Sequence, residues 1–308
     1  MKRLVVLTVA GATVLGLAAC SSSTGSSSAG DSSAAAPAAT ASTSAAASSA
    51  AATSPSAAPA VAAPASLMDP AKLQVCSYIA FPPLEFKDKN SDEPTGFDIE
   101  AAQAVANYWG IQAEFTDMGF DGLLPALDAK RCDVVWSGMF LNDDRQKKAD
   151  AAAYFKTGDG LLVAKGNPAG ITTADDLAGK RLAVAAGTTA VDTAKQLSDG
   201  LVAKGLEPID VQKYPTLTAE VGAVKAGKAD AVLELDVALA DAVRTAPDSF
   251  ELVPQAFPAA YELAAYTQKG SGLASEIQNA WAALIADGTA AALAEKYAMP
   301  VENLTSTN

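Results

Sequence analysis

Histidine is absent from the 308-residue chain, and cysteine occurs only three times. The first absence removes the commonest general base and the commonest transition-metal ligand of proteins. Aromatic residues make up 6% of the chain, and basic residues number 22 against 35 acidic ones. Phosphate binding needs a basic surface, so this balance argues against nucleic acid as a partner. We therefore expect no metal site, no cofactor and no nucleic-acid partner.

The first residues have the pattern of an export signal. A basic start at residues 1–3 precedes an apolar run from Leu4 to Ala19, which is short for a membrane span. Residues 1–19 are therefore predicted to be a signal peptide. The run ends in LAAC at residues 17–20, which resembles the bacterial lipoprotein signal, in which the cysteine, here Cys20, carries the lipid. An ordinary signal peptide that ends at a chance cysteine is the alternative.

A low-complexity segment follows. Residues 21–66 are almost entirely Ser, Thr, Ala, Gly and Pro, with no aromatic residue. Such a segment has nothing to bury, so we predict that residues 20–68 are a lipidated cysteine and a disordered tether, roughly 40 Å between its ends. A merely tolerated insert is the alternative. Loss of residues 1–19 would leave 20 basic and 35 acidic residues, a net charge of −15.

From residue 69 onward, strand-like apolar runs alternate with segments of helical periodicity, which favours mainly parallel sheets. The run CDVVWS does not alternate, as expected for a strand covered on both faces. A weak echo between PALDAKRCDVVWSG and GAVKAGKADAVLEL suggests two similar lobes. The predicted strands cover residues 72–78, 113–117, 132–137, 160–165, 180–186, 211–214 and 230–235. Helices are predicted to begin near Asp98, Asp121, Ala174 and Thr189. Three further predicted helices cover residues 219–226, 273–286 and 289–297.

Two cysteines remain beside Cys20. Cys76 and Cys132 each lie on a predicted strand, and we expect two buried free thiols. A disulfide between Cys76 and Cys132 is the alternative, since an exported protein can form disulfides.

Ligands of parallel α/β sheets bind beyond the carboxyl ends of the strands. Tyr78, Ser137, Gly187 and Asp236 fall at such ends in this sequence. A carboxylate at Asp236 could hold an ammonium group, and Glu234 is a competitor for that role.

Two features are suited to an anion. Gly-Thr-Thr at 187–189 joins a predicted strand to a predicted helix, where N–H groups and two hydroxyls could bind one carboxylate. Ordinary helix capping is the alternative. Arg145 could form a two-pronged pair with the same carboxylate. A surface salt bridge to Asp143, Asp144 or Asp150 is the alternative.

Aromatic residues recur near the strand ends and helix starts. Tyr78, Phe81, Phe120 and Phe140 could wall an apolar slot around a ligand. Each of them singly also fits a place in the core.

The order of these segments resembles the amino-acid-binding family of extracellular solute-binding proteins that serve ABC importers. The resemblance covers about Lys72 to Met299. It rests on FPPLEFKD with GFDIEAAQAVA (81–106), FDGLLPALDAKRCDVVWSGM (120–139), DDR (143–145), TTADDLAGKRLAVAAGTT (172–189), VKAGKADAV (224–232) and ADGTAAALAEKYAMP (286–300).

The resemblance implies a two-lobed type II periplasmic-binding-protein fold of class α/β. Each lobe would have a parallel sheet with one antiparallel strand, and a two-stranded hinge would join the lobes. We place lobe 1 at residues 69–158 plus 260–308 and lobe 2 at residues 159–259.

The family's binding residues can be carried over by motif. Arg145 would bind the ligand's α-carboxylate, together with Thr188 and Thr189 from the other lobe. The Gly138 carbonyl would accept from the ligand's ammonium, and the acidic partner of that ammonium falls near Asp236. Phe81 would stack on the ligand side chain, and Phe120 would form a second wall. The complete predicted set is Tyr78, Phe81, Phe120, Ser137, Gly138, Phe140, Arg145, Thr188, Thr189 and Asp236.

Two positions depart from the family pattern. Phe140 stands where a Thr or Ser is common, and Tyr78 stands near a position that often carries a carboxylate. The pocket is therefore expected to be more aromatic and less polar than that of a basic-amino-acid binder. An apolar, aromatic or quaternary-ammonium ligand also fits this pattern.

The resemblance implies a binding component that captures an amino acid or a related small zwitterion for an ABC permease and performs no chemistry. The lipoprotein-like signal would anchor it to a membrane by a lipid on Cys20. We expect a monomer, because no exposed apolar helix or coiled-coil seam stands out in the sequence. One alternative is an exported dehydratase-like enzyme on the same scaffold, with Glu234, Asp236 or Glu85 as the acid. A ligand sensor without transport is another, and Phe140 is the feature that permits it.

Overall fold

The structure is a computed structural model that describes residues 61–254, 256–257 and 260–306. The predicted signal peptide, Cys20 and the predicted tether up to residue 60 lie outside this part of the chain. Within the described residues, every helix is too short or too polar to cross a membrane.

A mixed sheet runs through the molecule. The strands of the described residues are β1 (Lys72–Ser77), β2 (Phe86–Lys87), β3 (Pro94–Thr95), β4 (Gln112–Asp117), β5 (Val134–Val135), β6 (Ala149–Ala164), β7 (Arg181–Ala185), β8 (Asp210–Tyr214), β9 (Ala231–Leu235), β10 (Phe250–Leu252) and β11 (Ala260–Gln268). In the sheet they follow the order β4-β1-β5-β11-β6-β9-β7-β8, with β10 added to β6. A two-stranded ribbon of β2 and β3 lies apart from it.

Strand directions divide this sheet into two similar halves. In the first half β4, β1 and β5 are parallel and β11 is antiparallel to β5. In the second half β8, β7 and β9 are parallel and β6 is antiparallel to β9. Each half is thus a parallel sheet with one antiparallel strand, the architecture of a two-lobed type II periplasmic binding protein.

The strand β6 belongs to both halves. Its residues up to Gly158 pair with β11, and the stretch from Asp159 to Val163 pairs with β9. The sequence predicts a strand only from residue 160, because the preceding alanines carry no strand preference of their own. The strand β11 was not predicted either, and its pairing with β6 keeps this alanine-rich stretch extended.

Helices cover the faces of the sheet and bury their apolar sides against it, which is why the inner strands β7 and β9 are buried on both faces. A cluster of large aromatic side chains, among them Phe97, Trp136, Tyr154 and Trp281, fills the core of the first half. The helices are α1 (Phe97–Tyr108), α2 (Leu123–Asp128), α3 (Asp143–Gln146), α4 (Ala190–Ala203), α5 (Leu217–Lys225), α6 (Asp236–Thr245), α7 (Leu273–Ala286) and α8 (Thr289–Lys296).

The helices predicted to follow Asp98 and Asp121 could be capped by these aspartates, but the structure shows neither cap. Gly96 precedes α1 at a φ of 123°, and a Cβ there would lie 2.3 Å from the carbonyl oxygen of Leu84, so only glycine fits this approach. Asp98 lies inside α1 and is fully buried. Asp121 lies in a short 3₁₀ turn, and its side chain makes no capping hydrogen bond.

Cys76 and Cys132 form a disulfide, with an S–S distance of 2.06 Å and a Cα–Cα distance of 5.8 Å. The expectation of two free thiols is therefore wrong. Register explains the pairing, because β1 sets Cys76 opposite Val135 and the chain entering β5 brings Cys132 alongside. Both cysteines are buried.

Candidate ligand-binding site

One cavity lies between the carboxyl ends of the parallel strands of the two halves. It contains about 510 Å³ of space outside the protein atoms, part of it open to solvent. Nine of the ten predicted binding residues line it, and Asp236 does not. The lining residues are Tyr78, Phe81, Glu85, Phe120, Ser137, Gly138, Phe140, Arg145, Ala185, Ala186, Thr188, Thr189, Pro215, Leu217, Glu234 and Leu235.

Arg145 reaches the cavity from the short helix α3. Asn142 caps this helix by accepting from the Arg145 backbone N–H at 2.9 Å, which orients the residue locally. The guanidinium Nη1 donates to the carbonyl oxygen of Phe140 at 2.7 Å. Burial lowers the pKa of Arg145, and contacts with Tyr266 partly offset this effect. An arginine side chain keeps its charge in such surroundings.

The salt bridges that would have held Arg145 at the surface are not formed. Asp144 pairs with Lys147 at 2.7 Å, and Asp150 pairs with Lys269 at 2.9 Å. Among the described residues, Arg145 has no carboxylate within 4.0 Å of its guanidinium nitrogens. A guanidinium has five N–H donors, so it can bind further acceptors beside Phe140 and Tyr266.

The Gly-Thr-Thr turn faces the cavity from the second half. Thr188 Oγ1 donates to the Ala185 carbonyl at 3.0 Å, and the Thr189 side chain makes no capping bond to α4. Capping therefore does not explain these two hydroxyls. The N-terminus of α4 carries a partial positive charge, which favours an anion beside it.

A hydrogen-bonded chain supports the first-half wall. Ser137 Oγ donates to Glu85 Oε1 at 2.8 Å and accepts from the Tyr78 backbone N–H at 2.9 Å. Behind it, Asp98 Oδ2 accepts from the Gly138 N–H at 2.6 Å. Burial raises the pKa of Asp98 to about 6, and burial together with the Asp98 carboxylate raises the pKa of Glu85 well above its usual range. Tyr154 also donates to Asp98 Oδ2, at 2.7 Å.

The second-half wall contains another buried acid. Glu234 lines the cavity at 4% exposure, and its Oε1 accepts from the Leu235 N–H at 3.1 Å. Burial raises the pKa of Glu234 to about 8. Glu220 on α5 is fully buried, and burial together with repulsion from Glu234 raises its pKa well above normal. Burial thus raises the pKa of the acids in both pairs above that of an exposed carboxyl group.

Asp236 lies away from this wall. Its Oδ1 accepts from Thr157 Oγ1 at 2.5 Å, and it lines a separate groove near Tyr297. Strand alternation would have sent Glu234 and Asp236 to the same face. However, β9 ends at Leu235 and α6 begins at Asp236, so the alternation stops before Asp236.

Aromatic rings line part of the cavity. Tyr78 meets Phe120 edge to face with ring centroids 6.5 Å apart, and Phe140 packs against Tyr261 at 4.8 Å. Burial and nearby carboxylates raise the pKa of Tyr78 to about 12, so its hydroxyl is a hydrogen-bond donor at neutral pH. The expected aromatic walls are present, but two carboxyl groups share the lining with them.

Two lining residues, Glu85 and Glu234, were not in the predicted binding set; both were candidate acids of an enzyme, and Glu234 was also a competitor for the role of Asp236. Pro215, Leu217 and Leu235 carry no chemical signal that would have placed them in a site. They line the cavity because β8 and β9 end beside it.

Comparisons with known proteins agree with this architecture. A family model described as bacterial extracellular solute-binding proteins, family 3, matches residues 73–300. The L-cystine-binding protein TcyJ of Escherichia coli is 33% identical over 218 residues, which cover 70% of this chain and 79% of that protein.

Solved structures show the same fold. An ancestral arginine-binding protein bound to arginine superposes with a TM-score of 0.67 at 31% identity, covering 74% of this chain and 98% of that one. The ancestral amino-acid-binding protein AncCDT-1, a precursor of cyclohexadienyl dehydratase, superposes with a TM-score of 0.67 at 29% identity. The match covers 74% of this chain and 95% of the AncCDT-1 chain.

Proposed function

Because the chain belongs to the bacterial extracellular solute-binding proteins of family 3, we propose that it captures an amino acid or a related small zwitterion in this cavity and delivers it to an ABC permease. The ligand would lie between the two halves of the sheet. Residues 69–158 with 260–308 and residues 159–259 would act as the two lobes.

One observation carries this proposal. Arg145 lines the cavity without a carboxylate partner among the described residues, and Thr188 and Thr189 line the same cavity from the other half. A carboxylate between them would receive charge-assisted hydrogen bonds from both halves. A ligand that binds both halves shifts the population of a hinged protein toward its closed form.

The strands β6 and β11 would serve as the hinge, since they join the two halves through their pairing. The relatives named above bind L-cystine and arginine, which supports an amino acid as the ligand class. A lipid on Cys20 and the tether that follows it would hold the protein at the outer face of a membrane, within reach of its permease. The predicted end of the tether at residue 68 is too late, because Leu67 is buried and the Met68 N–H donates to Asp133 Oδ1 at 2.8 Å.

A second candidate function is a dehydratase-like enzyme. The buried acid Glu234, with its pKa raised to about 8, could donate a proton at neutral pH, as a general acid must. The structural similarity to a precursor of cyclohexadienyl dehydratase supports this alternative. Recovery of the ligand unchanged after long incubation would exclude it, whereas turnover lost in Glu234→Gln would favour it.

The test is a thermal-shift screen of the chain without residues 1–19 against amino acids, betaines and small carboxylates, followed by calorimetric titration of each hit. A ligand of the folded state raises the melting temperature by mass action. Arg145→Ala should weaken binding about 10- to 100-fold, because a hydrogen bond to a charged group contributes roughly 1.5–3 kcal/mol.

The matched control is Arg131→Ala, since Arg131 is exposed and does not line the cavity. It should leave the affinity unchanged. A hit whose affinity survives Arg145→Ala would show that the carboxylate is not bound there and would refute the proposed site.

A further inference from the structure

Two buried acids lie together behind the first-half wall of the cavity. Glu85 lines the cavity at 1% exposure, and Asp98 on α1 is fully buried. Glu85 Oε2 and Asp98 Oδ1 accept no hydrogen bond from the described residues. Within the same part of the chain, neither acid has a salt-bridge partner within 4.0 Å. Buried carboxyl groups without a cation destabilise a fold, so packing alone does not explain this pair.

The titratable groups that face the pair supply no cation to it. Tyr154 on β6 donates its hydroxyl to Asp98 Oδ2 at 2.7 Å, and Tyr78 lies after β1 on the cavity side. Glu234 is a third acid and lines the cavity from the second half. Arg145 lines the same cavity, but its guanidinium donates to a backbone carbonyl of its own segment. Two ionised carboxylates at this place would therefore repel each other without compensation.

A proton shared between the two carboxyl groups removes this conflict. They lie close enough to form a hydrogen bond with each other when one of them is protonated. Asp98 accepts from an N–H and from an O–H, and these donors favour its charged form. Glu85 accepts only from Ser137 Oγ, and burial together with repulsion from Asp98 raises the pKa of Glu85 well above its usual range. Glu85 is therefore the member that holds the proton, and Asp98 is the member that accepts it.

One branch of this network holds Gly138. The Gly138 N–H donates to Asp98 Oδ2, and Gly138 has a φ of +50°. A Cβ there would lie 2.9 Å from Leu84 Cδ1, which favours glycine at this position. Glycine is conformationally permissive, so its orientation depends on partners outside its own side chain. Asp98 is such a partner, and the Gly138 carbonyl is the predicted acceptor of the ligand's ammonium group.

The other branch holds Tyr78. Glu85 Oε1 accepts from Ser137 Oγ, and this hydroxyl oxygen accepts from the Tyr78 backbone N–H. The Tyr78 hydroxyl in turn donates to the carbonyl oxygen of Pro215 in the second half. The acid pair is therefore linked both to the backbone that faces the ligand and to a residue that joins the two halves.

We propose that Glu85 and Asp98 share one proton and act as positioning residues, which fix Gly138 for the ligand and Tyr78 for closure of the two halves. This inference rests on the proposed function, because it assumes that a ligand binds in the cavity. Neither acid has to bind the ligand itself, since each acts through the N–H or the hydroxyl that it holds.

The shared proton should make affinity depend on pH. Opening of the cavity would expose Glu85 to water, which favours its charged form and lowers its pKa. Binding with closure then takes up a proton wherever Glu85 is ionised in the open form, so affinity should fall as pH rises. Direct binding of the ligand's ammonium by Glu85 predicts the opposite, because a bound cation favours the carboxylate.

The experiment measures affinities by calorimetry from pH 6 to pH 9, with L-arginine, L-glutamine and every amino acid found in the screen. The readout is the affinity of the wild-type protein divided by that of Glu85→Gln, because the ligand's ammonium and Glu234 titrate in both proteins. The amide of this variant stays neutral and can still donate to Asp98 and accept from Ser137. We expect the ratio to fall by about threefold or more between pH 6 and pH 9.

Two further variants separate positioning from packing. Glu85→Leu removes the hydrogen bonds of this side chain and should weaken binding about 10-fold or more at pH 7. Glu85→Gln should restore most of that loss. Glu295→Gln is the control, since Glu295 is exposed on α8, and its affinity should follow that of the wild-type protein at every pH. If Glu85→Leu does not fold, the pH dependence of the ratio decides alone.

A ratio that stays constant or rises with pH would overturn the inference. Equal affinities of Glu85→Leu and the wild-type protein would overturn it as well. If no amino acid binds the wild-type protein at any pH, the proposed function fails and this inference fails with it. Binding with a constant ratio refutes the inference alone.

Discussion

The hydroxyl of Tyr78 donates a hydrogen bond to the carbonyl oxygen of Pro215 at 3.1 Å. Tyr78 follows β1 in the first half of the sheet, and Pro215 follows β8 in the second. This bond therefore joins the two halves across the mouth of the cavity. Asp121 and Gly187 meet nearby, since a Cβ on Gly187 would lie 3.1 Å from that of Asp121.

Tyr78→Phe removes this bond and keeps the ring that packs against Phe120. A neutral hydrogen bond contributes roughly 0.5–1.5 kcal/mol, so ligand affinity should fall about 2- to 10-fold, mainly through faster dissociation. Stopped-flow kinetics with the amino acid found in the screen would measure this change. Tyr108→Phe, on the outer part of α1, should leave dissociation unchanged. Identical rates for both variants would show that the bond does not hold the halves together.

Gly187→Ala should weaken binding and lower stability. Its φ of +82° disfavours any residue with a Cβ, and that Cβ would press against Asp121. The backbone strain alone costs about 1–2 kcal/mol. Gly200→Ala is a control that should have the opposite effect. Gly200 lies within α4 and a Cβ there would meet open space, so the substitution should stabilise the protein by about 0.5–1 kcal/mol. Urea unfolding compares the two, and equal effects would contradict the strain argument.

The disulfide should contribute substantially to stability. Cys76 and Cys132 are 56 residues apart, and closing a loop of that length stabilises a fold by about 4 kcal/mol in the chain-entropy description. The Cys76→Ser, Cys132→Ser double variant should unfold at a clearly lower urea concentration. A reductant should not shift the double variant any further. Equal midpoints for the oxidised protein and the variant would mean that the bond contributes nothing.

Glu234 should make stability depend on pH. Its pKa is raised by burial from 4.5 to about 8, so the folded state binds a proton that the unfolded state has lost. The contribution of this proton to the free energy of unfolding is fully present below pH 4.5. It declines as pH rises toward 8, by at most about 1.4 kcal/mol per pH unit. Glu234→Gln should therefore stabilise the protein at pH 8.5 relative to wild type and much less at pH 5. Parallel pH profiles of urea unfolding would refute this assignment.

Several features of the fold were predictable from local patterns. The bounds of α7 were predicted without error, because its apolar periodicity is strong and Gly288 ends the pattern just beyond it. The strands β4, β7, β8 and β9 were predicted within a residue or two. Alternation of such elements implied parallel sheets, and their carboxyl ends implied the edge at which a cavity would form.

Other features depended on long-range pairing. The stretch AAAYF has no strand preference strong enough to predict β6, which exists because β11 and β9 supply its hydrogen bonds. The pairing of Cys76 with Cys132 follows from the register between β1 and β5. Neither relationship has a signal within a local window of sequence.

The sequence by itself determined the class of fold, the family and most of the cavity lining, because periodicity, strand-end position and motif order are local properties of the chain. Only the tertiary structure decided the acidic character of the cavity. Whether Glu234 or Asp236 faces a ligand depends on the residue at which β9 ends and α6 begins. The burial of Glu220 depends on how α5 packs against the sheet. Electrostatic repulsion and desolvation depend on distance in space. The raised pKa values of the cavity acids therefore depend on residues that are distant in the sequence and close in the fold.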